Sequence, residues 1–160
     1  NGLVSNAGYG QFGGLENFSA EQISSYINTN LTSHMVITRL VLPHFKVQKR
    51  GDIVFIGSDA ALEGRKKGSL YCAAKFGLRG FSQAIREECA SKNVRVSLIN
   101  PGMVRTLFFE NLDFRPGDDP ANAVEPDDVA LAAISIFSAR PGTVINEINL
   151  TPLKKVIKFD

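Results

Sequence analysis

The chain has 160 residues, 44% hydrophobic and 21% charged, the profile of one globular domain with an ordinary core. Its net charge of +2 and the lack of a long basic run give no support to nucleic-acid binding, and no apolar run reaches the roughly 20 residues of a membrane span. Cys72 and Cys89 are the only cysteines and form no CxxC pair; with no secretory signal at the start, free thiols in a reducing cytoplasm are expected.

Gly2-Leu3-Val4-Ser5 reads as a short buried strand ending in Asn6-Ala7-Gly8. No turn or cap precedes it, so the chain is expected to begin inside a domain. Tyr9 to Phe18 is a glycine-rich loop. Ser19 then caps a helix, with Gln22 three residues on in a capping-box pattern. The spacing of Ile23, Ile27, Leu31, Met35, Val36, Leu40 and Val41 carries this helix from Ala20 to about Gln48. Asn28 and Asn30 are poor helix formers and Pro43 lacks a backbone donor, so a break is expected near Thr29-Asn30.

Lys49-Arg50-Gly51 ends the helix. Asp52 to Ser58 is a continuous apolar strand, suited to a parallel sheet covered on both faces. The following loop contains Arg65-Lys66-Lys67, read as a solvated turn. A second helix runs from about Ser69 to Ser91, and Asn93 closes it. Val94 to Asn100 is the next strand, turned by Pro101-Gly102. Residues 103–125 read as irregular, with a mobile loop at 115–120. A third helix runs from Pro126 to Phe137 with Asp127 and Asp128 in its first turn. Thr143 to Leu150 is the last strand, and 151–160 reads as an irregular tail. His34 and His44 have no carboxylate or thiol partner at ligand spacing and read as helix-surface or packing residues, so no metal is expected.

The order β-α-β-α-β-α-β implies parallel strands with right-handed crossovers in an α/β sheet. Ligands of such sheets bind beyond the carboxyl ends of the strands, where Asn6, Ser58 and Asn100-Pro101-Gly102 fall. Tyr71 and Lys75, four apart on a helix, share one face. A nearby ammonium favours the phenolate over the phenol, so a Tyr-Lys pair can serve as an acid/base. Ser58 is placed to polarise a carbonyl oxygen. Asn30, at the expected kink, can free a backbone carbonyl to hold a relay water. YxxxK alone is weak; its company of Asn6-Ala7-Gly8, Asn30, Ser58 and the Pro101-to-Thr106 turn is not.

With these motifs in this order, the whole chain resembles the short-chain dehydrogenase/reductase family. The resemblance rests on N-A-G at 6–8, the Asn of T-N-L-T-S at 30, I-G-S ending at 58, Y-C-A-A-K at 71–75 and N-P-G-x-x-x-T at 100–106. It implies a doubly wound Rossmann-type fold and NAD- or NADP-dependent hydride transfer with a small carbonyl or alcohol substrate. It implies that Tyr71 is the acid/base and that Lys75 holds the nicotinamide ribose while lowering the Tyr71 pKa. Ser58 would bind the substrate oxygen, and Asn30 would serve the relay. Asn6, Ala7 and Gly8 would shape the cofactor wall, and Pro101, Gly102, Val104 and Thr106 would lie along the nicotinamide. Ser5 replaces the family's usual Asn, with an effect expected only on loop hydrogen bonding.

Gly8-Tyr9-Gly10-Gln11-Phe12-Gly13 satisfies G-x-G-x-x-G, but Leu15 to Phe18 intervene before the Ser19 cap. The helix that should meet the pyrophosphate does not open there, and this loop is expected to border the substrate instead. The family's phosphate-binding glycines stand in an N-terminal βαβαβα half that this sequence lacks. The chain alone is therefore expected to bind NAD(P) weakly. A non-catalytic interaction module that kept the motifs is the alternative reading. The expected substrate lining is Tyr9, Phe12, Asp59, Ala60, Leu62, Met103, Leu107 and Phe108. A weaker similarity, at 109–111, 125–129 and 146–148, points to the subgroup acting on 3-hydroxy acids and serine. Homo-oligomers through helices 20–48 and 70–91 are expected.

Overall fold

The computed structural model describes residues 1–159. Strands β1 (Gly2–Ser5), β2 (Gly51–Ile56), β3 (Val94–Pro101) and β5 (Glu147–Leu150) form one sheet in that order, each pair parallel. Between them run α1 (Ala20–Ile27), α2 (Ser33–Gln48), α3 (Ser69–Cys89) and α4 (Pro126–Ser138). A separate antiparallel pair joins β4 (Phe114–Pro116) to β6 (Ile157–Phe159). The expected α/β architecture is observed.

Strand parity decides which helix each side chain meets. Ile53, Phe55, Val94, Val96 and Leu98 point to one face and pack with Phe45 of α2 and Leu78, Ile85 and Cys89 of α3. Val54 and Ile99 point to the other face and meet Ala132 and Ile136 of α4. The central strands are thus covered on both sides, which is why they lack polar alternation. Each fully buried aliphatic or aromatic side chain stabilises the fold by about 1.5–3 kcal/mol.

The break expected near Asn30 is a π-helical turn, Asn28–Thr32, inserted between α1 and α2. The helix swells by one residue there rather than stopping. The Ser19–Gln22 capping box forms as read, with reciprocal bonds of 2.8 and 3.2 Å. Lys49 ends α2 in a left-handed conformation, and Asn93 does the same for the 3-10 turn Ala90–Lys92 that follows α3.

Three expectations of local order need correction. The last strand starts at Glu147 rather than Thr143. The carbonyls of Ala139, Arg140 and Thr143 instead turn toward the Arg95 guanidinium, at 2.8, 3.3 and 3.3 Å, so they make no sheet ladder. The loop at 115–120 and the tail are not both irregular: Phe114, Arg115 and Pro116 pair with Phe159, Lys158 and Ile157. The partner lies about 40 residues away, so no local pattern announces the pairing. Asp160 of the expected tail lies outside the described residues.

Ser5 is the third. It is buried in β1, and its hydroxyl lies 2.6 Å from His34 Nδ1 on α2. It therefore ties strand to helix inside the core instead of serving a loop. Cys72 and Cys89 are free and buried. Among the described residues, no helix is long and apolar enough to cross a membrane.

Candidate active site

A cavity of about 920 Å³ opens beyond the carboxyl ends of β1, β2 and β3. Asn6, Gly8, Asn30, Ser58, Tyr71, Lys75, Pro101, Gly102, Val104 and Thr106 all line it. Of the residues named from sequence for the site, Ala7 alone stays out of the lining. Of the substrate residues, Leu62 does; its side chain is exposed instead. A second concavity of about 770 Å³ lies between α3 and Asn146-Glu147. It contains none of these residues. Two of its charged groups are engaged in contacts already formed, Glu147 with Arg79 at 3.1 Å and Arg86 with the Val96 carbonyl at 2.8 Å.

Tyr71 and Lys75 stand one turn apart on α3, both facing the cavity rather than solvent. Lys75 is 7% exposed, and its ammonium donates to the Ile56 carbonyl at 3.1 Å. An ammonium carries three donors, so this bond leaves others to aim into the cavity. Burial depresses the Lys75 pKa to about 8. Tyr71 is pushed up to about 12, first by burial, against the pull of a Ser58 hydrogen bond, with Asp59 and Cys72 raising it further. Desolvation dominates this shift, and the Lys75 ammonium stands 5.8 Å from the ring centroid. At neutral pH Tyr71 is a phenol.

Ser58 leaves β2 in an extended conformation. Its oxygen accepts from the Ala60 amide at 3.2 Å, while its hydroxyl donates to Asp59 Oδ1 at 3.2 Å. Asn30 is fully buried in the π-helical turn. Its Oδ1 accepts from the Tyr9 amide at 3.0 Å, and its Nδ2 donates to the Tyr26 carbonyl at 3.1 Å. The Tyr26 hydroxyl donates in turn to the Tyr9 carbonyl at 3.1 Å. Together these bonds hold the loop that starts at Gly8. Gly8 itself has φ +154°, and a Cβ there would sit 2.7 Å from Asn30 Oδ1. The glycine is thus required by both conformation and space.

The G-x-G-x-x-G run does not open a long helix. After Gly13 comes only a short 3-10 turn, Leu15–Asn17. Phe12 from this loop lies 5.1 Å from the Tyr71 ring, and Phe108 lies 5.9 Å from it. The remaining cavity wall includes residues that sequence reasoning missed, among them Phe109, Phe114, Lys155, Ile157 and Phe159. The alternation Ile157-Lys158-Phe159 is a strand signal that was available. Arg65, Lys66 and Lys67, read as a solvated turn, also line the cavity.

The short chain dehydrogenase family profile matches residues 1–115. The chain is 33% identical over 158 residues to a sepiapterin reductase of Chlorobaculum tepidum, covering 99% of this chain and 64% of that protein. It is 32% identical over 133 residues to an NADP-dependent 3-hydroxy acid dehydrogenase of Schizosaccharomyces pombe, covering 79% and 51%. Among solved structures, it is similar to a metagenomic short-chain oxidoreductase in complex with NADP. The TM-score there is 0.79 at 30% identity, covering 97% of this chain and 62% of that one. It is likewise similar to a serine dehydrogenase from Escherichia coli, with TM-score 0.79 at 29% identity, covering 93% and 62%. The chain thus spans about half to two thirds of the length of these relatives.

Proposed function

The chain belongs to the short-chain dehydrogenase family, and from that premise we propose that its cavity is the substrate and nicotinamide side of an NADP-dependent carbonyl reductase. The single observation that carries this reading is the meeting of Ser58, Tyr71 and Lys75 in one cavity at the carboxyl ends of parallel strands. The NADP of the similar solved structure and of the 3-hydroxy acid dehydrogenase supports that cofactor over NAD.

The residues present fit a nicotinamide riboside. Lys75 has donors left after its bond to Ile56, and Pro101, Gly102, Val104 and Thr106 form a wall beside it. The cofactor, when bound, supplies the hydride. The chain's own residues manage the rest. The Ser58 hydroxyl exchanges its Asp59 partner for the substrate carbonyl oxygen and polarises it. Tyr71, neutral near pH 7, donates its phenolic proton to that oxygen as negative charge develops. Lys75 stabilises the resulting tyrosinate, and a relay water held at Asn30 returns a proton. Phe12, Phe108 and Phe114 exclude bulk water from the reacting atoms.

These residues contribute no helix-opening glycine turn for a pyrophosphate, so their own affinity for NADP is weak. Cys72 and Cys89, free and buried, suit a reducing cytoplasm. Self-association through helices 20–48 and 70–91 is favoured by exposed Val36, Ile37, Leu40, Val47 and Phe76. Sedimentation showing monomer alone would count against it.

The test is NADPH oxidation with a small ketone, at millimolar cofactor, beside a titration of NADPH binding. Turnover with weak binding supports the reading. A non-catalytic interaction module, the second reading, predicts neither turnover nor saturable binding.

A further inference from the structure

Asp59 stands next to Ser58 and, among the described residues, makes more contacts than any other carboxylate at the cavity. Oδ1 accepts the Ser58 hydroxyl at 3.2 Å. Oδ2 accepts Arg65 Nη2 at 3.3 Å and Lys155 Nζ at 3.2 Å. Those two cations come from separate segments. Arg65 belongs to the loop before α3, which is held in shape by bonds from the Arg65 amide to Cys72 Sγ at 3.3 Å and from the Gly13 amide to the Lys67 carbonyl at 2.8 Å. Lys155 belongs to the C-terminal tail. That tail puts Ile157 and Phe159 into the cavity wall. It is anchored elsewhere by Asn122 Nδ2 to the Lys154 carbonyl at 3.1 Å and by the Lys158–Asp118 pair.

We infer that Asp59 is a positioning residue: one oxygen holds the Ser58 hydroxyl and the other clasps the loop at Arg65 and the tail at Lys155 across the mouth of the cavity. The inference rests on the reading of Ser58 and Tyr71 as the reacting pair. It extends that reading by making the tail a strap whose closure depends on a carboxylate beside the reacting serine.

The electrostatics agree with the geometry. The charged and titratable groups around Asp59 are Arg65, which Glu63 also holds at 3.1 Å, Lys155, and Tyr71, whose phenolate it opposes. Around Tyr71 stand Asp59 and Cys72, both raising its pKa, and the Lys75 ammonium, 5.8 Å from the ring centroid. The charge on Asp59 therefore helps keep Tyr71 protonated as well as holding the strap. A carboxylate that served only to tie down a surface loop would leave Tyr71 unaffected.

Two variants test this without requiring turnover. Asp59→Asn keeps the size of the side chain and removes its charge. Lys155→Gln releases the strap and leaves the charge beside Tyr71 in place. Carbon-13 labelled tyrosine spectra up to pH 11 read the ionised fraction of Tyr71, and limited trypsin digestion reads cleavage after Lys154 and Lys158. In Asp59→Asn, Tyr71 ionises at lower pH than in the wild type. Exposed ion pairs of this kind contribute up to about 1 kcal/mol, so cleavage quickens by about two- to fivefold in both variants. Lys155→Gln does not lower the pH at which Tyr71 ionises. Unchanged Tyr71 titration in Asp59→Asn, or unchanged cleavage in both variants, overturns the inference. Because neither readout involves hydride transfer, such a failure is distinct from a failure of the proposed activity.

Discussion

Lys75 Nζ lies 5.8 Å from the centroid of the Tyr71 ring and donates a hydrogen bond to the Ile56 carbonyl at 3.1 Å. The cation is thus anchored to the end of β2 rather than to the phenol. Both groups are largely withdrawn from water, and their pKa values move toward the neutral forms. Lys75 falls to about 8 and Tyr71 rises to about 12.

Those shifts fix how stability follows pH. The folded pKa of Lys75 lies below its ordinary 10.5, so the unfolded chain holds more protons between about 8 and 10.5. The Lys75 contribution to stability is present above that window and is lost as pH falls through about 8. Tyr71 is opposite in sign: its contribution is present below 10 and is lost as pH rises toward 12. Denaturant midpoints at pH 7.5 and 9.5 should show Lys75→Met gaining more over wild type at the lower pH. Equal gains at both would show that Lys75 is not desolvated as described.

Gly8→Ala should damage the site from a distance. Its φ of +154° is rarely open to an L side chain, and the added Cβ meets Asn30 Oδ1 at 2.7 Å. The strain costs about 1–3 kcal/mol, before any loss of the Asn30 bond to Tyr9. A fall in melting temperature with disturbed amide signals at Tyr9 is expected. Unchanged melting would mean that the loop is free to rearrange.

The buried pair of Ser5 and His34 predicts another loss. Among the described residues His34 Nε2 has no hydrogen-bond partner, and burial lowers the His34 pKa. Ser5→Ala removes the 2.6 Å bond at Nδ1 and leaves a second unsatisfied ring atom in the core. The expected cost is about 1–3 kcal/mol in equilibrium unfolding. A change within about 0.5 kcal/mol, the usual range for a surface site, would contradict the role given to the pair.

Much of this was legible in the sequence because it depends on local spacing. The apolar runs at 52–58 and 94–100 specify strands buried on both faces, and Tyr71 and Lys75 meet because they are four apart on a helix. The capping box at Ser19 is local as well. What escaped depends on residues distant in sequence. Phe114 pairs with Phe159, and Lys155 reaches Asp59 across 96 positions. Ser5 has no visible partner until α2 brings His34 to it. The degree of Tyr71 burial escaped for a related reason: spacing places the lysine, whereas the desolvation comes with Phe12 and Phe108, which arrive on other loops.

The central claim, that Tyr71 protonates a carbonyl while hydride arrives from NADPH, is tested most directly by isotope transfer. NADPH carrying deuterium at the nicotinamide C4 position is supplied at millimolar concentration with a small ketone, and the alcohol product is analysed by mass spectrometry for wild type and Tyr71→Phe. The account predicts deuterium on the carbinol carbon with wild type and at least about a 100-fold slower transfer with Tyr71→Phe, the scale of a lost general acid. No transfer by the wild type at saturating NADPH, or equal transfer by the two proteins, would contradict it.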